Sequence, residues 1–373
     1  MERIYNKTTE FNYSDGNTSI ISNDVFNTGS PVVPLWVVYS YFIFVCLGAA
    51  INLIHFLALV RCRKSGALTL IMQLCMVDFL SPYVVVLEIL TLNNQIWIFS
   101  LDNCTIFNGI EVLVNSLVVW LIICLNFQVI SIWNLYRNEV EKKNANPLTS
   151  CQDESNECLV TKKENANRTL NIDYQKRKND ISVIVPVILI IFACFSLSIP
   201  NFALSSTLPV NGNHTICVIM DHFYGHTLQK ALFMFRILVP VALQILTLII
   251  LIVKLVQTSP KDIDNILIQK AIEIRGLLLC SIAVTMFYIA TSYQRNLLHF
   301  LHIMSHNFDN STGKVFKVPP FFNDKLSSSG GVYLSMLHYC GITCRAFLYI
   351  FALPKFQNLV KSKIFVCCKT EKK

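Results

Sequence analysis

Six ionisable residues interrupt long apolar stretches of this chain: Asp78, Glu88, Glu111, Arg236, Arg295 and Arg345. A charge at the centre of a membrane helix costs about 2.5–3.5 kcal/mol on insertion scales, so each needs a partner or a function. Acids and bases are both present, which points to recognition by charge rather than to covalent chemistry. No His/Cys group has zinc spacing. No Gly-rich phosphate loop, nucleophile elbow or His-Glu-x-x-His run occurs. His55 and His338 stand singly on apolar stretches, where packed, hydrogen-bonded histidines are the common outcome. The sequence offers no support for an enzyme and implies no cofactor.

The elements that must position these charges are membrane helices. Of 373 residues, 53% are hydrophobic and only 14% charged, against about 25% charged in soluble domains. Seven stretches are long enough to cross a hydrocarbon core, which takes about 20 apolar residues. They fall near 35–60, 67–92, 104–134, 181–205, 230–256, 271–301 and 331–353. Helices satisfy their backbone hydrogen bonds without water, so the expected fold is an all-α bundle of seven transmembrane helices. Residues 1–34 read as a polar outer tail with no cleavable signal pattern. Residues 135–180 read as a long polar loop, and 354–373 as a short amphipathic eighth helix and tail.

Charge placement orients the bundle. With the N-terminus outside, the inner segments hold Lys and Arg as follows: three in 61–66, nine in 135–180, four in 254–275 and six in 354–373. The outer segments hold five: Arg3, Lys7, Lys314, Lys317 and Lys325. This is the positive-inside bias, and it accounts for the net charge of +8 without invoking nucleic acid. Glycosylation sequons give the same orientation. Asn6, Asn12, Asn17, Asn103, Asn213 and Asn310 begin Asn-x-Ser/Thr triplets on the outer side, and Asn167 alone lies inside.

Of 14 cysteines, this orientation places two at the oxidising outer surface, Cys104 and Cys217. Exclusion leaves a Cys104–Cys217 disulfide or two free thiols. Cys367 and Cys368 follow a basic amphipathic stretch and suit S-palmitoylation.

The order of motifs resembles the rhodopsin-like (class A) G-protein-coupled receptors across all seven spans. Gly48-Ala-Ala-Ile-Asn52 is similar to the Gly-Asn motif of helix one. Leu74-Cys-Met-Val-Asp78-Phe-Leu80 is similar to the Leu-Ala-x-x-Asp-Leu motif of helix two. Trp97-Ile-Phe99 precedes Cys104 as in the family's first outer loop, Pro200 and Pro240 fall in helices four and five, and Tyr349 precedes Phe356 at the end of helix seven. Three switch positions depart from the family. Gln128-Val129-Ile130 stands where Asp-Arg-Tyr is expected, Ala290-Thr291-Ser292-Tyr293 where Cys-Trp-x-Pro is expected, and Arg345-Ala346-Phe347-Leu348-Tyr349 where Asn-Pro-x-x-Tyr is expected. Glu273 takes the place of the acid that would pair with the missing arginine; Lys270 and Arg275 are its nearest bases in sequence.

The resemblance implies where the charges meet. It sets Asp78 and Arg345 across a cavity that holds sodium in the family, with Asn52 and Tyr349 alongside. A guanidinium there would displace the ion and bind the carboxylate through paired hydrogen bonds; the alternative is an Arg345 that snorkels to the inner water. Glu111, two turns below Cys104, occupies the pocket position where amine receptors carry an aspartate. Glu88, Arg236, Thr291 and Arg295 complete the expected ligand-binding set. Glu88 or Glu111 could instead pair with Arg295 and simply hold the bundle together. Mixed charges and long outer segments favour a peptide over an amine.

Three functions compete. The first is a plasma-membrane receptor that passes an outer ligand's signal to a heterotrimeric G protein. The second is a receptor-shaped binding or dimer-partner protein without such coupling, which the altered switch positions favour. The third is a seven-helix chemoreceptor channel, whose topology would be inverted.

Overall fold

The computed structural model describes residues 34–60, 65–81, 97–145, 182–210, 214–219, 231–258, 265–294 and 329–352, with a few more around 84–90, at 227–228 and at 297. The described chain is mostly helical. Its helices are α1 (Leu35–Val60), α2 (Gly66–Leu80), α3 (Leu101–Ala145), α4 (Ile184–Leu204), α5 (Val239–Gln257), α6 (Asn265–Tyr288) and α7 (Ser329–Ala352). A hairpin of β1 (Ser205–Val210) and β2 (His214–Ile219) follows α4, paired antiparallel with Thr207 opposite Cys217.

Five helical stretches among the described residues are long and apolar enough to cross a membrane: Leu35–Val60, Leu101–Glu141, Ile184–Leu204, Ala231–Gln257 and Lys270–Tyr293. Their outward faces carry large apolar side chains, including Trp36, Tyr39 and Phe42 on α1, Leu189 and Phe192 on α4, and Leu246 and Ile249 on α5. Continuous apolar patches of that kind mark contact with lipid or partner rather than water.

Proline sets several boundaries. The second apolar run extends to about residue 92, but α2 ends at Leu80 because Pro82 has no N–H to offer the carbonyl of Asp78. The Ser81 hydroxyl donates to that carbonyl instead, at 2.8 Å. At its start α2 is capped by Ser65, whose side chain accepts from the Leu68 N–H. Pro240 deprives the Arg236 carbonyl of its usual donor, and the turn before it widens into a π-helical segment, Met234–Leu238. A second π segment, Ile289–Tyr293, ends α6.

α3 is the central element. It packs against α2, α4, α5, α6 and the hairpin, while α1 packs against α2 and α7. The main apolar core gathers Leu70, Leu74, Val118, Ile122, Leu125, Val129, Leu251, Leu278, Val284 and Tyr349. Helices touch closely where glycine allows. A Cβ on Gly48 of α1 would stand 2.6 Å from the Thr343 hydroxyl of α7. The expected third span, 104–134, is exceeded at both ends: α3 runs for 45 residues.

Candidate functional site

Cys104 in the first turn of α3 is bonded to Cys217 of β2, with 5.5 Å between the Cα atoms. Both are buried in a small cluster with Val84, Leu87, Trp97 and Phe107. The Trp97 ring meets Phe99 edge-on at 5.2 Å, and its indole N–H donates to the Ser100 carbonyl at 3.2 Å. Asn108, one turn along α3, directs its amide to the Cys217 sulfur at 3.3 Å. The hairpin is thereby seated on the end of α3. Asn103 lies beside it in the same turn, its amide 3.2 Å from the Ser100 hydroxyl.

Next to this cluster, and sharing Val84 with it, a narrow cleft opens between α2, α3 and α7. Ser81, Glu111, Asn115, Val118, His338, Tyr339 and Arg345 are among its lining residues. The space admits about one water molecule. Glu111 is buried on its wall. Glu88 is buried as well and accepts a hydrogen bond from the Tyr339 hydroxyl. His338 shares a 2.9 Å hydrogen bond with Ser292 of the second π segment. Its ring meets Tyr339 edge-on.

At the bottom of the cleft Arg345 meets Asp78. Nη2 donates to Oδ1 at 2.7 Å and Nε to Oδ2 at 3.3 Å. The side chains are 1% and 0% exposed, so the pair is enclosed and Arg345 does not reach solvent. The guanidinium also lies 5.9 Å from the centre of the Tyr288 ring. Asn52 and Tyr349 are fully buried. The Asn52 amide donates to the Gly48 carbonyl at 3.0 Å. Arg345 Nη1, Asn52 Oδ1 and the Tyr349 hydroxyl have no hydrogen-bond partner among the described residues.

The remaining expected site residues are placed differently. Arg236, in the first π segment, turns toward α4 and donates to the Leu197 carbonyl and to Asn201 Oδ1. It is not among the residues that line the cleft with Glu111. Thr291 is buried, donates to the Phe287 carbonyl at 2.8 Å and fits against Gly341 of α7, where a Cβ would collide with it. Arg295, Asn6, Asn12, Asn17, Asn213, Asn310, Cys367 and Cys368 lie outside the described residues, as do Phe356 and the tail at 1–33. Val129 is 1% exposed within the apolar core.

Sequence reasoning overlooked Asn126, Ser281, Thr247 and Thr285, which meet in the core between α3, α5 and α6. The available signal was an Asn inside an apolar helix, three residues before Val129. No known protein-family profile matches the chain, and no curated protein is similar to it.

Proposed function

We propose that this chain is a divergent rhodopsin-like receptor: a seven-helix protein of the plasma membrane, N-terminus outside, that binds an extracellular ligand. α2 and α7 supply the spans beyond the five long apolar ones. α2 is apolar but only 15 residues long, and α7 carries inward-facing polar groups such as Ser335, His338 and Arg345. The observation that carries this reading is the hairpin fastened by Cys104–Cys217 to α3, beside a cleft walled by Glu111, His338 and Tyr339. A pinned loop next to a convergent set of polar groups supports a binding pocket, and a cleft that admits about one water must widen to take a ligand. Charges of both signs, with Glu111 on the cleft wall, favour a peptide over a simple amine.

A second reading has its own support. Val129 is locked in apolar packing and Arg345 is held by Asp78, so two positions that carry the family's switch are engaged in static contacts. A receptor-shaped binding or partner protein without G-protein coupling would look this way. The discriminating experiment expresses the full chain in cells and measures constitutive and peptide-stimulated nucleotide exchange across the G-protein classes. Exchange above background supports the receptor. Specific peptide binding at the cell surface with no exchange supports the second reading. Neither binding nor exchange sinks both.

A further inference from the structure

Two cysteines of α7 sit one helical turn apart with their sulfurs in contact. Cys340 Sγ and Cys344 Sγ are 3.9 Å apart, and both thiols are free and half-buried. Residues four apart share one face of a helix. Tyr333, Leu337 and Phe347 continue that face and are exposed. The residues between turn other ways: Gly341 fits against Thr291 of α6, and the Thr343 hydroxyl donates to the Phe44 carbonyl of α1 at 2.8 Å. The thiols therefore stand in the gap between those two contacts. Among the described free cysteines no other two bring their sulfurs this close. If α7 crosses the membrane as proposed above, that face meets lipid; the spacing of the thiols does not depend on it.

Geometry selects what the two sulfurs can hold. A direct disulfide is about 2 Å long, so the sulfurs would have to halve their separation while the helix keeps their Cα atoms a full turn apart. One bridging atom leaves them in place. An atom bound to both sulfurs at about 2.3 Å, with a tetrahedral angle between the bonds, spans about 3.8 Å. Zinc has that bond length but needs four ligands, and no group of three His, Cys, Asp or Glu able to hold a metal occurs among the described residues. A trivalent arsenic that already carries one carbon needs only two further bonds, and this pair supplies both. Its bonds to sulfur are of similar length at a somewhat narrower angle, which a small turn of either side chain accommodates. The chemistry also suits a dry medium, where a stranded charge is costly. The reactant carries one carbon and two hydroxyls on arsenic. Each thiol sulfur forms a bond to arsenic, each arsenic–hydroxyl bond breaks, and each thiol proton leaves with a hydroxide as water. Arsenic stays trivalent and the product is neutral.

We propose that Cys340 and Cys344 form a chelating dithiol site for lipid-soluble, monosubstituted trivalent arsenicals, and that binding there staples one turn of α7. The stapled turn lies between His338, which shares its hydrogen bond with Ser292, and Arg345, which holds Asp78. The site requires neither an outer ligand nor coupling to a G protein.

Phenylarsine oxide, which hydrates to the reactant described, is the probe, applied to the full chain in lipid nanodiscs. Cys367 and Cys368 are adjacent in the sequence and would offer a competing pair, so the reference chain carries Cys367→Ser and Cys368→Ser. Intact mass reads how many phenylarsenic groups survive an excess of the monothiol mercaptoethanol. One is expected to survive, and the dithiol dimercaptopropanol removes it. Cys340→Ala and Cys344→Ala each leave a single sulfur and should weaken retention about a hundredfold or more, because the second bond is no longer intramolecular. Cys344→Ala with Phe347→Cys keeps two thiols on the face but sets them about 10 Å apart along the helix, and it loses the group as well. Formation of the Cys104–Cys217 disulfide checks that each variant has folded; where an alanine variant fails, serine replaces the same cysteine. A reference chain with no monothiol-resistant group overturns the proposal, and so does a group retained by a folded single-cysteine variant or by the spaced pair.

Discussion

Arg345 and Asp78 are each tolerable in a dry core only because of the other. Their double hydrogen bond compensates part of the desolvation each charge suffers. Removing one partner strands the other. Arg345→Met is expected to cost about 3–5 kcal/mol, read as a lower thermal midpoint of the purified protein. Replacing both, Asp78→Leu with Arg345→Met, should recover most of that loss, because a well-packed apolar pair can match a buried ion pair. A single variant that melts like the parent would mean that the pair contributes nothing. Arg345 Nη1, Asn52 Oδ1 and the Tyr349 hydroxyl, buried with no hydrogen-bond partner among the described residues, suit buried water, which commonly satisfies such groups.

Among the elements, the contact of α3 with α4 depends on the absence of a side chain. A Cβ on Gly109 would run into the ring of Phe202. Gly109→Ala should therefore push the two helices apart and destabilise the fold by about 1–3 kcal/mol. Adding Phe202→Leu should restore part of it, and a double-mutant cycle of melting midpoints gives the coupling. Apolar runs alone made α1 and α4 readable in the sequence to within a few residues. The ends of other elements depended on single hydrogen bonds. α2 stops at Leu80 through Pro82 and Ser81, which a count of apolar residues passes over. α3 continues past its apolar stretch into polar residues, where Arg137 and Glu141 form a salt bridge one turn apart, 2.7 Å long, that adds only about 0.3–0.5 kcal/mol. The positions of Asp78 and Arg345 were legible through motif order. The Asn126 cluster was not, because its partners lie 121 to 159 residues away and threonines in apolar helices look like ordinary packing. Arg236 was expected at the pocket and points to α4 instead; the widened π turn ahead of Pro240 resets the direction of every side chain in it.

For the whole molecule, orientation in the membrane is the first thing to establish, since both receptor readings need the disulfide end outside. Asn6, Asn12 and Asn17 supply the measurement. Expressed in mammalian cells, the full chain should lose several kilodaltons of apparent mass on enzymatic deglycosylation, and the triple Asn→Gln variant should show no comparable loss from its tail. A chain that carries no glycan at these three sites while Asn167 is glycosylated would have the opposite orientation and fit the chemoreceptor channel instead.

The length of α3 has a mechanical consequence. At about 1.5 Å per residue, its 45 residues form a rod of roughly 67 Å, about twice the thickness of a hydrocarbon core. The stretch from Asn126 to Ala145 alone is about 28 Å long. If the rod pivots at the Asn126 crossing, a tilt of roughly 5° would carry its far tip sideways by about 2.5 Å. The helix is in effect a lever with arms of similar length, about 33 Å from Asn126 to the disulfide at Cys104 and about 28 Å to Ala145, so it carries motion from one end to the other without amplifying it.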